Sequence, residues 1–216
     1  MIWQRLSPIW QLCIEEAWQA YCQGSLPHGA VMTDAEGRIV ARGRNSIREV
    51  GPDGRVSVRN RLAHAELNVL LTLDWHAVDI YQCTLYSLIE PCAMCVGAAA
   101  MAHIKAVFFA VRDGGAGASS LTEAYTTHIP LFKQGVLPVT GPQDSELETL
   151  LMALQVEATL SQRHPKPDEW IALLARDVPQ GAALGEKLFA AGYLQRWKEE
   201  HRAASFVLDQ LHEQLI

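Results

Sequence analysis

The chain has 216 residues, 49% of them hydrophobic and 19% charged, which fills one well-packed core with a small appendage and excludes a disordered or fibrous polypeptide. Its five cysteines are an odd number, and only Cys92 and Cys95 are close together, which excludes an oxidised scaffold and fits reduced thiols in the cytoplasm. The net charge of −6 disfavours polyanion binding over a broad face. A local anion contact stays open, because seven arginines (Arg38, Arg42, Arg44, Arg48, Arg55, Arg59, Arg61) crowd a stretch with only Glu49 and Asp53, whereas Gly141 to Ile216 is acidic.

Apolar residues at helical spacing from Ile9 to Cys22 predict an amphipathic helix ended by Gly24. Gly29 to Thr33, a turn at Asp34–Gly37 and a run from Arg38 to Arg42 predict a hairpin, followed by a basic connection lasting to about Asn60. A second helix is expected over Ala63–Leu73. Thr84–Ile89, Cys92–Ala102 and Ala106–Val111 then alternate strand, helix and strand, as a parallel layered sheet does. Asp113 to Ser120 reads as a Gly-rich loop without the Lys that a Walker phosphate loop needs.

Gln143 to Leu160 predicts a further helix with Leu147, Leu150, Leu151, Leu154 and Val156 as its buried stripe. His164-Pro-Lys-Pro167 breaks the chain. The remainder is helical and acidic by composition, so residues 1–160 are expected to form the main domain and 161–216 a helical extension. No stretch approaches the roughly 20 apolar residues of a membrane span, and the start lacks the basic and apolar regions of a secretion signal. A cytoplasmic protein without a membrane partner is the expectation.

Two segments carry chemistry, His64-Ala65-Glu66 and Pro91-Cys92-Ala-Met-Cys95. Each falls where a helix is expected to begin. Cysteines at i and i+3 face one side of a helix, and its positive end favours their thiolates. At about 100° per residue, His64 and Glu66 would diverge by about 200° inside a helix, so they share a site only beyond its end. His64, Cys92 and Cys95 together offer one nitrogen and two sulfurs, a set that selects Zn2+ and leaves a fourth position for water. Glu66, not a ligand, is the candidate proton carrier. A redox pair or a structural zinc clip is the plainer reading of the cysteines.

His-x-Glu followed by Pro-Cys-x-x-Cys matches the signature of the zinc deaminases that act on nucleobases. With Glu90-Pro-Cys-Ala-Met-Cys-Val-Gly-Ala98 and the later Val111-Arg-Asp-Gly-Gly-Ala-Gly-Ala-Ser-Ser-Leu121, the chain resembles the cytidine and deoxycytidylate deaminase superfamily over about Ile9 to Leu160. The likeness is greatest to the branch of tRNA adenosine deaminases, guanine deaminases and nucleoside deaminases. This resemblance implies an α/β fold of cytidine-deaminase type, three layers (α/β/α) around a mixed five-stranded sheet, in a homodimer or larger assembly. It also implies that Asn45 hydrogen-bonds the substrate and that the backbone N–H of Ala65 helps to hold the ring.

The sequence departs from that branch at Pro27-His28-Gly29-Ala30, where the tRNA enzymes usually carry Pro-Val-Gly-Ala and guanine deaminases Pro-Phe-Gly-Ala. His28 is either a pocket residue or the cap of a strand. The basic C-terminal helix of the tRNA enzymes is absent, which disfavours tRNA as partner.

The expected activity is hydrolytic deamination of a free nucleobase or nucleoside, an amino-purine or related heterocycle ahead of cytosine. Zinc-activated water would attack the amino-bearing carbon with Glu66 shuttling its proton. The alternatives are a tRNA adenosine deaminase and a non-catalytic module stabilised by zinc. Trp10, Trp18, His28, Trp75 and Phe109 are the candidates for stacking on the base.

Overall fold

The computed structural model describes residues 1–49, 60–123, 137–162 and 164–215. The part of the basic connection holding Asp53, Arg55 and Arg59 lies outside the described residues. Ser7 and Pro8 open helix α1 (Pro8–Cys22), the Ser7 hydroxyl accepting from the Trp10 N–H, and Gly24 leaves it at φ +82°. Strands β1 (Gly29–Thr33) and β2 (Ile39–Arg44) form the expected antiparallel hairpin. Helix α2 (Ala65–Thr72), strand β3 (Thr84–Ile89), helix α3 (Ala93–Met101) and strand β4 (Ala106–Val111) follow.

The sheet order is β2-β1-β3-β4-β5, with β1 antiparallel to β2 and β3, and β3 parallel to β4. The fifth strand, β5 (Val139–Thr140), pairs parallel with β4. Two residues following Pro138 give no period to read, so local pattern does not locate it. The mixed five-stranded sheet flanked by helices agrees with the expected deaminase-like fold.

Alternation along β1 distributes the core. Ala30 and Met32 join Ala65, Val69, Leu85, Ala99 and Val107 under α2 and α3, while Val31 points to the opposite face beneath α1. Gly29 lets the chain enter β1 against α1, since a Cβ there would lie 2.0 Å from the Cys13 carbonyl oxygen. Cys13 and Cys83 are core residues, and all five cysteines are free thiols.

Helix α4 (Ser145–Ser161), capped by the Asp144 carboxylate on the Leu147 N–H at 2.8 Å, packs on the sheet beside α1. It is buried on every face from Leu147 to Thr159, not on one stripe. Its outer face is covered by α5 (Pro167–Ala175) and α6 (Pro179–Ala191). Helices α7 (Tyr193–Glu199) and α8 (Ala204–Leu215) complete the layer, α8 touching α1 and the N-terminal segment. Among the described residues, no helix is long and apolar enough to cross a membrane.

Candidate active site

The strand directions bring four connections to one end of the sheet. His28 precedes β1, Asn45 follows β2, and Pro91-Cys92 and Asp113 follow β3 and β4. This is the carboxyl end of the parallel pair, where open α/β sheets place their ligands. His64 is the N-cap of α2 and Cys92 the N-cap of α3, both with extended backbone. The two helix starts therefore meet, as the sequence predicts.

His64 Nδ1 lies 3.7 Å from Cys92 Sγ and 3.6 Å from Cys95 Sγ, and the sulfurs are 3.7 Å apart. Tetrahedral zinc with Zn–S of about 2.3 Å and Zn–N of about 2.0–2.1 Å would separate its ligands by about 3.5–3.8 Å. The triad fits that ion, and it is a cluster able to hold a metal. Nδ1 is the His64 ring nitrogen that faces both sulfurs, so it is the one placed for the metal. Hydrogen bonding from Cys95 and then from His64 pulls the Cys92 thiol down to about 3. The neighbouring Cys92 sulfur and burial push Cys95 far up.

Glu66 is 2% exposed and sits on the first turn of α2. The Ser87 hydroxyl donates to its Oε1 at 2.9 Å, and its Oε2 lies 3.5 Å from Cys95 Sγ. Ser87 shares the α2–α3 face of β3 with Leu85, two residues away. It was not singled out from the sequence, since a serine inside an apolar strand carries no motif. Its signal is polarity in a fully buried position.

Asn45 is 0% exposed; its Oδ1 accepts from the Ile47 N–H at 3.3 Å, and its Nδ2 has no hydrogen-bond partner among the described residues. An orphaned buried amide is costly, and a ligand acceptor would satisfy it. Ala65, also 0% exposed, occupies the first position of α2, where the helix provides its N–H no partner. Asn68 ties α2 to this strand end by donating to the Arg44 carbonyl at 2.7 Å and to Ser46 Oγ at 3.0 Å.

His28 Nε2 pairs with Gln155 Oε1 at 2.8 Å, and Gln155 Nε2 faces the Pro27 carbonyl oxygen at 3.4 Å. That carbonyl orients the amide, so the proton of a neutral imidazole sits on Nε2 and Nδ1 is left as an acceptor. Burial lowers the pKa of His28, and the charges of Glu66, His64 and Cys92 act on it across the site. Gln155 comes from α4 and was missed because it lies more than 120 residues away in sequence. It is one of five polar or charged side chains, with Glu148, Thr149, Glu157 and Thr159, among the buried residues of that helix.

Glu90 supports the metal side from below. It accepts from the Asp113 N–H, the Ser119 N–H and the Ser119 hydroxyl, and it holds the 113–119 loop against Cys92, which bridges to Gly117. Among the proposed stacking residues, Trp10 packs edge-on against Tyr86, Trp18 stacks on Tyr21 and Phe109 is buried beside Gly141. Trp75 is 67% exposed. His28 is the member of that group placed next to the metal residues.

A family model described as the cytidine and deoxycytidylate deaminase zinc-binding region matches residues 4–111. The matched half contains His64, Glu66, Cys92 and Cys95, and ends before Gln155. A tRNA(Ile)-lysidine synthase of Deinococcus radiodurans is 38% identical over 104 residues, covering 47% of this chain and 16% of that protein. A guanine deaminase of Bacillus subtilis is 31% identical over 103 residues, covering 46% of this chain and 59% of that enzyme. A structure solved in work on A-to-I editing by tRNA:A34 deaminases aligns with a TM-score of 0.50 at 25% identity, covering 61% of this chain and 89% of that one. The chain thus spans less than two thirds of each of these two curated relatives.

Proposed function

Because the chain belongs to the cytidine and deoxycytidylate deaminase family, whose zinc-binding region it carries, we propose that it is a hydrolytic deaminase of a free nucleobase or nucleoside, with an amino-purine or related heterocycle preferred. The observation that carries this reading is Glu66, a buried carboxylate held by Ser87 within 3.5 Å of the thiol of Cys95. A zinc clip serving stability alone has no use for it.

In this proposal His64, Cys92 and Cys95 hold zinc, which when bound supplies a water acidic enough to serve as nucleophile near neutral pH. The reaction exchanges the exocyclic amine of the base for that oxygen, so water and amine give a carbonyl and ammonia. Glu66 takes the proton at Oε2, passes it to a ring nitrogen, and carries the second proton to the departing amine. The Ser87 hydroxyl holds Oε1 throughout and keeps the carboxylate from rotating away. Asn45 Nδ2 donates to the base, the Ala65 N–H meets its ring, and His28 presents Nδ1 as an acceptor.

We assign residues 1–160 to the deaminase domain and 161–216 to an acidic helical extension, in a cytoplasmic homodimer. Exposed Leu71 and Met101 on α2 and α3 support the dimer. Ammonia release from bases and nucleosides tests the activity: Glu66→Ala should abolish it with zinc content intact. Metal retention with no substrate turned over by the native protein would favour a non-catalytic module. The likeness to the tRNA:A34 deaminase structure favours tRNA adenosine as the second reading. Filter binding of tRNA at two salt concentrations separates the two, since no affinity at low salt removes RNA.

A further inference from the structure

The structure sorts the arginines of the basic stretch. Arg38 pairs with Asp34 and Glu36, Arg42 with Glu16, and Arg44 with Glu49 and Glu16. Arg48 and Arg61 have no carboxylate partner among the described residues. Both line the same cavity, of about 430 Å³, between the end of β2 and the start of the C-terminal helices. No acidic side chain is among its described walls, although the chain as a whole carries a net charge of −6. His164 stacked on Trp170, 5.5 Å between centroids, forms part of its wall.

This cavity adjoins the base site through hydrogen bonds of its own walls. Ile47 donates its N–H to Asn45 Oδ1, and the carbonyl of Leu26 accepts from the His28 N–H. On α4, Thr159 bonds the carbonyl of Gln155, the partner of His28. The Arg48 guanidinium is also held in place: Nη1 donates to Gln162 Oε1 at 2.7 Å and to the Gln162 carbonyl at 3.3 Å. Its backbone N–H bonds Ser25 Oγ at 3.1 Å. These acceptors are neutral, so among the described residues no carboxylate compensates the cation, and its Nε and Nη2 are available to an anion.

We propose that Arg48 and Arg61 form a phosphate subsite at the mouth of the base pocket, so that the preferred substrate is a nucleoside monophosphate. The inference rests on the deaminase reading for the position of the base. An amino group directed at the metal residues leaves the sugar and its phosphate on the outward side, where the two arginines lie. Trp170 and His164 supply a flat wall for the sugar.

The test is calorimetric titration of the zinc-loaded full chain with adenosine, guanosine and cytidine and with their 5′-monophosphates, at low and high salt. At least one monophosphate is expected to bind about tenfold tighter than its nucleoside at low salt, a difference of about 1.4 kcal/mol, with the advantage shrinking as salt rises. Arg48→Ala and Arg61→Ala should each remove most of that advantage while the nucleoside binds as before. Arg48→Lys should keep part of it.

Equal affinity for nucleoside and monophosphate overturns the subsite, as does an equal loss of both ligands in the arginine variants. Affinity for tRNA with no such distinction overturns it too. The outcomes separate the two readings: an arginine-dependent preference without ammonia release keeps the subsite and removes the deaminase. Ammonia release with indifferent arginines does the reverse.

Discussion

The sheet end that carries the metal residues and the helical layer around α4 are both buried, yet they are built from opposite materials. At the sheet end, polar groups are withdrawn from water and kept short of partners: Asn45 Nδ2 has none among the described residues, and His64 and Cys92 sit at helix caps with their donors converging. Around α4 the packing is mostly apolar, although Glu148, Thr149, Gln155, Glu157 and Thr159 are buried on the helix itself, and the backbones approach closely, with Gly181 and Gly185 of α6 against Thr149 and Ala153. Unsatisfied polar groups cost stability and make a site, whereas close packing provides the stability that offsets them.

The largest test of this contrast removes one atom's chemistry at the sheet end. Glu66→Gln preserves shape and the Ser87 contact but cannot carry a proton, so turnover should fall by about 10²–10⁴ with zinc stoichiometry and melting temperature close to native. Steady-state assays beside elemental analysis check it. Loss of metal in that variant would show Glu66 to be a ligand. Cys95→Ser should do what Glu66→Gln does not, losing zinc and activity together, because the triad then keeps a single thiolate sulfur.

The helical layer should respond in the opposite way. A Cβ on Gly185 would lie 2.6 Å from the Ala153 carbonyl oxygen, and one on Gly181 the same distance from that of Thr149. Backbone does not yield as a flexible side chain does. Gly185→Ala is expected to cost about 1–3 kcal/mol, a drop of roughly 2–4 °C in melting temperature for each kcal/mol, while zinc content and turnover at low temperature stay native. Scanning calorimetry with an assay below the transition would expose any coupling between the two regions. A fall in turnover without a fall in stability would mean that α6 acts on the site directly.

Gln155 belongs to both regions, which makes its substitution the sharpest probe of how they are joined. Gln155→Leu keeps the volume inside α4 but frees His28 from its side-chain partner among the described residues. The effect expected is a rise in KM of about tenfold, roughly 1.4 kcal/mol of lost substrate orientation, with kcat less affected because, among the described residues, Gln155 hydrogen-bonds His28 and not Glu66 or the metal residues. Unchanged KM would assign the pair to stability alone.

These same residues show what the sequence disclosed. His64, Glu66, Cys92 and Cys95 were readable because their chemistry is encoded in short spacing at helix starts, and β1 to β4 because alternation and apolar runs are local. Ser87 and Gln155 escaped because each acts through a contact made only in the folded chain. The arginines could be counted but not sorted, since their carboxylate partners, Glu16 for example, lie in other elements. The full burial of α4 likewise depends on α5 and α6, whose cover no period within α4 reveals.

The smallest effect concerns a carboxylate buried in the helical layer that serves no catalysis. Glu157 Oε1 accepts from the Tyr21 hydroxyl at 3.0 Å and the Ser161 hydroxyl at 2.6 Å, while Oε2 has no partner among the described residues. Burial raises its pKa, against the lowering effect of those two hydroxyls and of Lys198. A raised carboxyl favours folding fully only below its unfolded value of about 4.3. Above that value the unfolded chain releases a proton that the folded chain retains, and the contribution declines until the folded pKa is passed. Glu157→Gln removes this titration. Its melting temperature relative to the native chain should therefore climb as pH rises from about 4 toward neutrality. A flat difference across that range would show that the folded carboxyl titrates as the unfolded one does, its burial offset by the hydroxyls and Lys198.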